Sequence, residues 1–190
     1  SGVTNGSTVN NSGNITATSA GNFAIRGSAS GDRVTTTAGT LRGDIGLGAG
    51  NDQLVASGGS LVGSTFMDSG NDTVLLAGSV DISRAPRFDG GAGDDVLEGK
   101  GADTLRGGDG NDTLIAHSDT WTQNSNTLEG GKGNDTIYGG FGDDTYIFNL
   151  GDGEDVIIER RQGEAYSNVD ASNDTLAFGE GIAADDLIFI

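Results

Sequence analysis

Along this chain an apolar residue recurs two places after an acidic one. The pairs are Asp32/Val34, Asp52/Leu54, Asp72/Val74, Asp95/Leu97, Asp112/Leu114, Asp135/Ile137, Asp155/Ile157 and Asp174/Leu176. Successive aspartates are 20, 20, 23, 17, 23, 20 and 19 residues apart. One apolar residue between polar neighbours predicts a short strand with a single inward-facing side chain. A second series runs half a period out of phase: Asp103/Leu105, Asn126/Leu128 and Asp144/Tyr146. In the first half of the chain its place is taken by Leu41, Leu61 and Val80. Two series in antiphase predict two short strands per coil, on opposite sides of a flattened coil. A period sustained over so many intervals is that of a solenoid, whose core closes only when coils stack. The expected fold is all-β: a right-handed parallel β-helix that narrows into a β-roll, with about 20 residues per coil.

Some stretches depart from the pattern. Residues 1–30 are rich in Ser, Thr, Asn and Gly, with only Val3, Val9, Ile15, Phe23 and Ile25 as large apolar residues. They read either as a linker or as the first coils of the solenoid, with Asn and Ser in the turns. The segment Asn10–Ala17 (NNSGNITA) resembles the Asn-Ser-Gly coils of bacterial surface β-helices. Val80–Asp89, with Arg84, Pro86 and Arg87, is expected to bulge as a loop. Ala116–Gln123 holds the only His and the only Trp, His117 and Trp121. It reads as an inserted loop rather than a site. After a degenerate repeat at Gly151–Glu159 comes a charged loop, Arg160–Ser172. The stretch from Asp174 to Phe178, with Gly181, Ile182, Asp186 and Leu187, is expected to cap the solenoid. The resulting division is 1–89 for β-helix coils, 90–158 for the β-roll and 159–190 for the cap.

Glycine supplies 35 residues, and its placement changes the picture from a polar solenoid to a metal-binding one. Gly130–Phe148 reads GGKGNDTIYGGFGDDTYIF, which is one unit, Gly-Gly-x-Gly-x-Asp-x-apolar-x, written twice. Further copies stand at Gly90–Glu98 (GGAGDDVLE) and Gly107–Ile115 (GGDGNDTLI), with a shortened copy at Gly99–Arg106 (GKGADTLR). The glycine-rich part bends the backbone through conformations open mainly to glycine. The bend exposes carbonyls beside the Asp carboxylate, and hard oxygen donors in irregular array suit Ca²⁺.

This nonapeptide resembles the repeat of the haemolysin-type calcium-binding (RTX) family. The resemblance implies that two consecutive turns on one edge sandwich each ion. One turn would give carbonyls and the residue before the Asp, and the next would give carbonyls and the Asp itself. Carried onto this chain, the first edge would use Asp95, Asp112, Asp135 and Asp155, with Asp94, Asn111 and Asn134 beside them. The second edge would use Asp103 and Asp144, with Asp143 adjacent. Carbonyls would come from Gly91, Gly93, Gly108, Gly110, Gly131, Gly133, Gly140 and Gly142. Asp52 and Asp72 are candidates although LGAGND lacks the first Gly and MDSGND lacks the first two. Asp32, preceded by SASG, is expected to serve only the turn, and Asn126 costs its site a charge. The implied load is about four to six Ca²⁺.

Charge and composition exclude other classes. With 28 acidic and 10 basic residues the net charge is −18, which disfavours nucleic acid and anionic membranes as partners. Without counter-ions the acidic loops repel, and with Ca²⁺ between them they become cross-links. There is no cysteine to brace the fold, and no apolar run approaches the ~20 residues of a membrane-spanning helix. A chain that starts at Ser1 and stops at Ile190 within an apolar stretch reads as a fragment of a longer protein, monomeric as such. The expected function is a calcium-binding module of a secreted or surface bacterial protein, folding outside the cell and supporting type I secretion. The parent is expected to be an adhesin or surface protein, with any cell-surface or carbohydrate ligand bound through it. The alternatives are a module of a secreted enzyme or toxin, such as a β-helix enzyme acting on polysaccharide, and a sugar- or ice-binding solenoid. The ice reading rests on the row Thr73, Thr104, Thr113, Thr127, Thr136, Thr145 and Thr175. No HExxH and no Ser/His/Asp grouping is present, so the chain itself is read as non-enzymatic.

Overall fold

The computed structural model describes residues 6–17, 23–82, 87–101, 103–116, 124–159 and 172–182. His117, Trp121, Arg84, Pro86 and the segments 160–171 and 183–190 lie outside them. Among the described residues there are strands and no helix. The first three coils carry three strands each: β1 (Thr8–Asn11), β2 (Ile15–Thr16) and β3 (Phe23–Arg26); β4 (Arg33–Thr36), β5 (Thr40–Arg42) and β6 (Asp44–Gly46); β7 (Gln53–Ala56), β8 (Ser60–Val62) and β9 (Thr65–Phe66). The later coils carry two: β10 (Thr73–Leu76) and β11 (Arg87–Ala92); β12 (Val96–Glu98) and β13 (Thr104–Asp109); β14 (Thr113–Ile115) and β15 (Thr127–Lys132); β16 (Thr136–Tyr138) and β17 (Thr145–Phe148); β18 (Val156–Ile158) and β19 (Thr175–Phe178).

Every strand pairs in parallel with its counterpart one coil away, as a solenoid requires. The first sheet runs β1-β4-β7-β10-β12-β14-β16-β18, and the second runs β3-β6-β9-β11-β13-β15-β17-β19. The third sheet, β2-β5-β8, ends after three coils. The chain is therefore a parallel β-solenoid whose coils pass from three sides to two. In the first sheet Val34, Leu54, Val74, Leu97, Leu114 and Ile137 stack in register and are buried. In the second, Phe88, Leu105, Leu128 and Tyr146 form the facing column. Burial of these two columns between the sheets is the main apolar drive to fold.

Four expectations are corrected. Leu41 and Leu61 do not continue the Leu105 series; in the third sheet Leu41 pairs with Ile15 on one side and Leu61 on the other. The chain bends at Gly39 and again at Gly43, with φ of 76° and 122°, so Leu41 occupies a side of its own. The inward places of the second sheet in these coils belong to Ile25, Ile45 and Thr65. Val80, though buried, lies in no strand, and Ser60 bridges Asp81 instead. Residues 87–89 are not loop but the start of β11, and Phe88 is fully buried. Asp174 and Leu176 belong to the second series, because Leu176 pairs with Tyr146. The threonine row, which Gln53, Val96 and Val156 already interrupt in the sequence, is also split between the sheets. Thr73, Thr113 and Thr136 lie on the first, and Thr104, Thr127, Thr145 and Thr175 on the second.

Candidate metal centre

Each repeat turns one corner of the solenoid. Gly90, Gly91 and Ala92 end β11 on the second sheet, the next residues turn, and Val96–Glu98 is β12 on the first. In the units at Gly90, Gly107 and Gly130 the first two glycines thus complete a strand rather than the bend. They are needed for closeness. A Cβ on Gly107 would stand 2.1 Å from Asp112 Oδ2 and 2.5 Å from the Gly130 carbonyl oxygen. Gly108, at φ 128°, and Gly110, at φ 143°, combine a backbone that L-residues rarely adopt with stacked carbonyls. A Cβ there would meet the Gly91 oxygen at 2.0 Å and the Gly93 oxygen at 2.1 Å. The corresponding glycines 131, 133, 140 and 142 also have positive φ.

Along the first edge the aspartates form a ladder. The amide of Asp32 donates to Asp52 Oδ1 (2.6 Å), Asp52 to Asp72 (2.6 Å), Asp72 to Asp95 (2.8 Å), Asp95 to Asp112 (2.8 Å), Asp112 to Asp135 (2.7 Å) and Asp135 to Asp155 (3.0 Å). Each carboxylate thus reaches back to the preceding coil. The residues just before them form a second ladder of opposite direction. Asn111 donates its amide to Asp94 Oδ1 (2.8 Å), and Asn134 to Asn111 Oδ1 (2.9 Å). The gaps from Asp95 to Asp112 and from Asp112 to Asp135 are therefore each bridged by one side chain from below and one from above.

The second carboxylate oxygen carries the chemistry. Oδ2 of Asp52, Asp72, Asp95, Asp112 and Asp135 is buried and accepts no hydrogen bond. A buried ionised carboxylate without a partner is costly, and a row of them at one corner is costlier. Burial pushes the Asp72, Asp95 and Asp112 carboxyls up to about 7, with the preceding aspartate along the row adding to it. Burial likewise takes Asp52 and Asp135 up to about 6 and raises Asp155. A cation among these oxygens and the stacked carbonyls removes the penalty, and the donor set is the hard oxygen set of Ca²⁺. Asp32 is the contrast. Its Oδ2 accepts the Ser28 amide (2.5 Å) and hydroxyl (3.0 Å). Burial opposes ionisation there, yet the bonds from Ser7 and Ser28 outweigh it and the pKa is lowered. Both carboxylate oxygens of Asp32 are thus hydrogen-bonded, Oδ1 by Ser7 and Oδ2 by Ser28.

Asp52 and Asp72 have the bare oxygen although Leu47 and Met67, both fully buried, replace the first glycine. At the second glycine's place before Asp72 stands Asp68, held at φ 72°.

The second edge is uneven. Asp103 is buried, but its Oδ2 accepts the amides of Lys100 (2.6 Å) and Gly101 (3.0 Å), which the shortened unit brings within reach. Its Oδ1 is the bare oxygen. Asn126 Oδ1 takes the Asp103 amide (3.0 Å), while its Nδ2 donates to Asp144 Oδ1 (2.9 Å) and the Asn124 carbonyl (3.3 Å). The amide of Asn126 thus fills its place with a donor, where an aspartate would offer an oxygen. Asp144 Oδ2 is bare, and Asp143 Oδ1 accepts the Asn173 amide (2.8 Å). Sequence reasoning passed over Glu159 because it ends a degenerate repeat, outside the Gly-Asp turn. Its carboxylate nevertheless accepts a hydrogen bond from the Tyr146 hydroxyl.

No curated protein matches the chain. The model of the RTX calcium-binding nonapeptide repeat matches residues 89–120 and 122–157, in four copies. These residues contain the complete Gly-Gly-x-Gly-x-Asp units and the ladders built from them. Over 89–157, then, this solenoid carries RTX calcium-binding nonapeptide repeats, and the bare Oδ2 atoms of Asp95, Asp112, Asp135 and Asp144 lie within that stretch.

Proposed function

We propose that the chain is a calcium-gated folding module of a larger exported bacterial protein, one that folds on meeting extracellular calcium and thereby supports type I secretion. The observation that carries this is the row of buried, partnerless Asp oxygens on the first edge. Without cations they oppose stacking of the coils, and with cations they bind one coil to the next. The ions number about four to six, taking the oxygen coordination and weak affinity usual in extracellular calcium modules. Asp52, Asp72, Asp95, Asp112, Asp135 and Asp155 serve the first edge, and Asp103 and Asp144 the second. Asp94, Asn111, Asn134 and Asp143 bridge the gaps from the other side. Within the module, residues 1–89 act as a β-helical scaffold, 90–158 as the calcium-dependent roll and 159–190 as its cap.

The parent is an adhesin or surface protein in this reading, because the Asn- and Ser-rich first coils resemble surface β-helices. The chain itself works as scaffold, not as catalyst. The division of the threonines between two sheets weighs against an ice-binding row. A calcium titration followed by far-ultraviolet circular dichroism tests the proposal. Growth of the β signal at millimolar calcium, reversed by chelation, is expected. Full β structure with the same melting temperature in calcium-free buffer would end the gating idea.

A further inference from the structure

The last coil carries a group of carboxylates that the repeats do not account for. Tyr138 pairs with Ile158, so Glu159 stands where Gly139 stands one coil earlier. Although Asp174 is 30 residues beyond Asp144, it takes up the ladder again. The Asp144 amide donates to Asp174 Oδ1 (3.0 Å). One carboxylate oxygen from each of Asp144, Glu159 and Asp174 lies within 4.8 Å of the other two. Two oxygens on opposite sides of a Ca²⁺, each at about 2.4 Å, are about 4.8 Å apart, so the three fit around a single ion of that size. Asp144 is 0% exposed, and its Oδ2 accepts no hydrogen bond. That oxygen and the Tyr146 hydroxyl converge on Gly139: a Cβ there would meet them at 3.0 and 1.7 Å. The same hydroxyl donates to Glu159, which holds that carboxylate beside the bare oxygen. Three facing anions, one fully buried, call for positive charge between them.

We propose that Asp144, Glu159 and Asp174 bind one divalent cation of calcium size, and that this ion latches β19 onto the last repeat. The proposal rests on the calcium reading of the repeats only through Asp144. Glu159 and Asp174 lie beyond the matched residues, and a third carboxylate here replaces a glycine of the ordinary turn. The latch has a task. β19 stands at the edge of the second sheet among the described residues, with Leu176 and Phe178 exposed and the Phe178 ring edge-on to Phe148. Without the cation, repulsion among the three carboxylates pushes the Asp174 turn, and β19 with it, away from the roll.

The test counts calcium bound per chain by isothermal titration on the 190-residue protein. Glu159→Gln and Asp174→Asn keep shape and hydrogen-bonding capacity while removing charge. Glu129→Gln, whose partner is Arg106 on the outer face, controls for charge alone. Each of the first two is expected to lose one ion, the control none. Exchange protection at the Thr175 and Gly179 amides, which donate to Asp144 and Phe148 carbonyls, is expected to fall in the same two variants. Either variant, folded by circular dichroism in saturating calcium and keeping the full ion count, overturns the proposal while leaving the repeat reading intact. Should one variant not fold, the other decides in the same way. A parent chain that binds no calcium overturns both readings.

Discussion

At Gly107 there is no room for a methyl group, whereas at Gly13 nothing lies within 4 Å of an added Cβ. Neither position has a φ in the region that favours glycine, so the comparison isolates contact. Gly107→Ala is expected to cost about 1–3 kcal/mol in calcium, as overpacking does. Gly13→Ala should stay within about 0.5 kcal/mol, as ordinary surface changes do. Denaturant melts of the two variants in calcium measure both. Asn126 allows the opposite experiment. Asn126→Asp replaces an amide donor with an oxygen, so it should raise the melting temperature in calcium. In chelator it should lower it, by placing a second carboxylate against Asp144 Oδ1. A shift of the same sign in both conditions would contradict the assignment of that place as a weakened metal site. These residue-scale features were legible in the sequence where a unit was complete. The hydrogen-bond satisfaction of Asp32 by Ser28 was legible only as a missing glycine pattern, because two serine donors carry no strong signal.

Elements divide into those held by metal and those held by packing. Phe88 fills the second sheet's column between Thr65 and Leu105 and is fully buried. Phe88→Ala should cost about 3–5 kcal/mol, as large-to-small core changes do. Most of that loss should appear at every calcium concentration that permits folding, which distinguishes it from Asp112→Asn. A loss confined to calcium-free samples would mean that Phe88 acts through the metal edge. On the outer face of the same strands Asp89, Arg106 and Glu129 align in register, with Arg106 between two carboxylates. Exposed pairs of this kind contribute little, so they set the register of the coils more than their stability. Phe88 was hidden in the sequence because its strand lacks the leading Asp. The third sheet was hidden because Leu41 has the spacing of a half-coil. Only the bends at Gly39 and Gly43 assign it a separate side.

For the whole molecule, pH and calcium act in opposite directions. In the metal-free chain, burial raises Asp72, Asp95 and Asp112 from 3.8 to about 7 on folding. Between those values the folded state holds more protons than the unfolded one, so its stability falls as pH rises. The protonated carboxyls give their full support below the unfolded pKa and lose it as pH passes through the folded one. Calcium must displace these protons, so its apparent affinity should rise with pH and level off above about 7. Melting curves at pH 5 and pH 8, in resin-treated and in calcium-containing buffer, check both signs. The metal-free chain should melt higher at pH 5, and the gain from calcium should be larger at pH 8. A metal-free melting temperature that climbs from pH 5 to pH 8 would show that the buried carboxylates do not govern the apo state.

The sequence by itself determined the repeat, its period and the chemistry of its corners. Asp-x-apolar spacing sets an inward side chain in each short strand, to which β4, β7 and β10 add a second, and Gly-Gly-x-Gly-x-Asp sets a turn that gathers oxygens. Both are local patterns, repeated until only stacking can bury them. The tertiary structure decided which strands share a sheet, because that depends on how many times a coil bends and not on its length alone. It also decided where the chain rejoins the solenoid after an insertion. Asp174 continues a 20-residue rhythm in sequence, yet pairs in space with Asp144 on the other edge. The cluster of Asp144, Glu159 and Asp174 follows from that pairing, since hydrogen bonds between coils bring together residues that no single repeat unit contains.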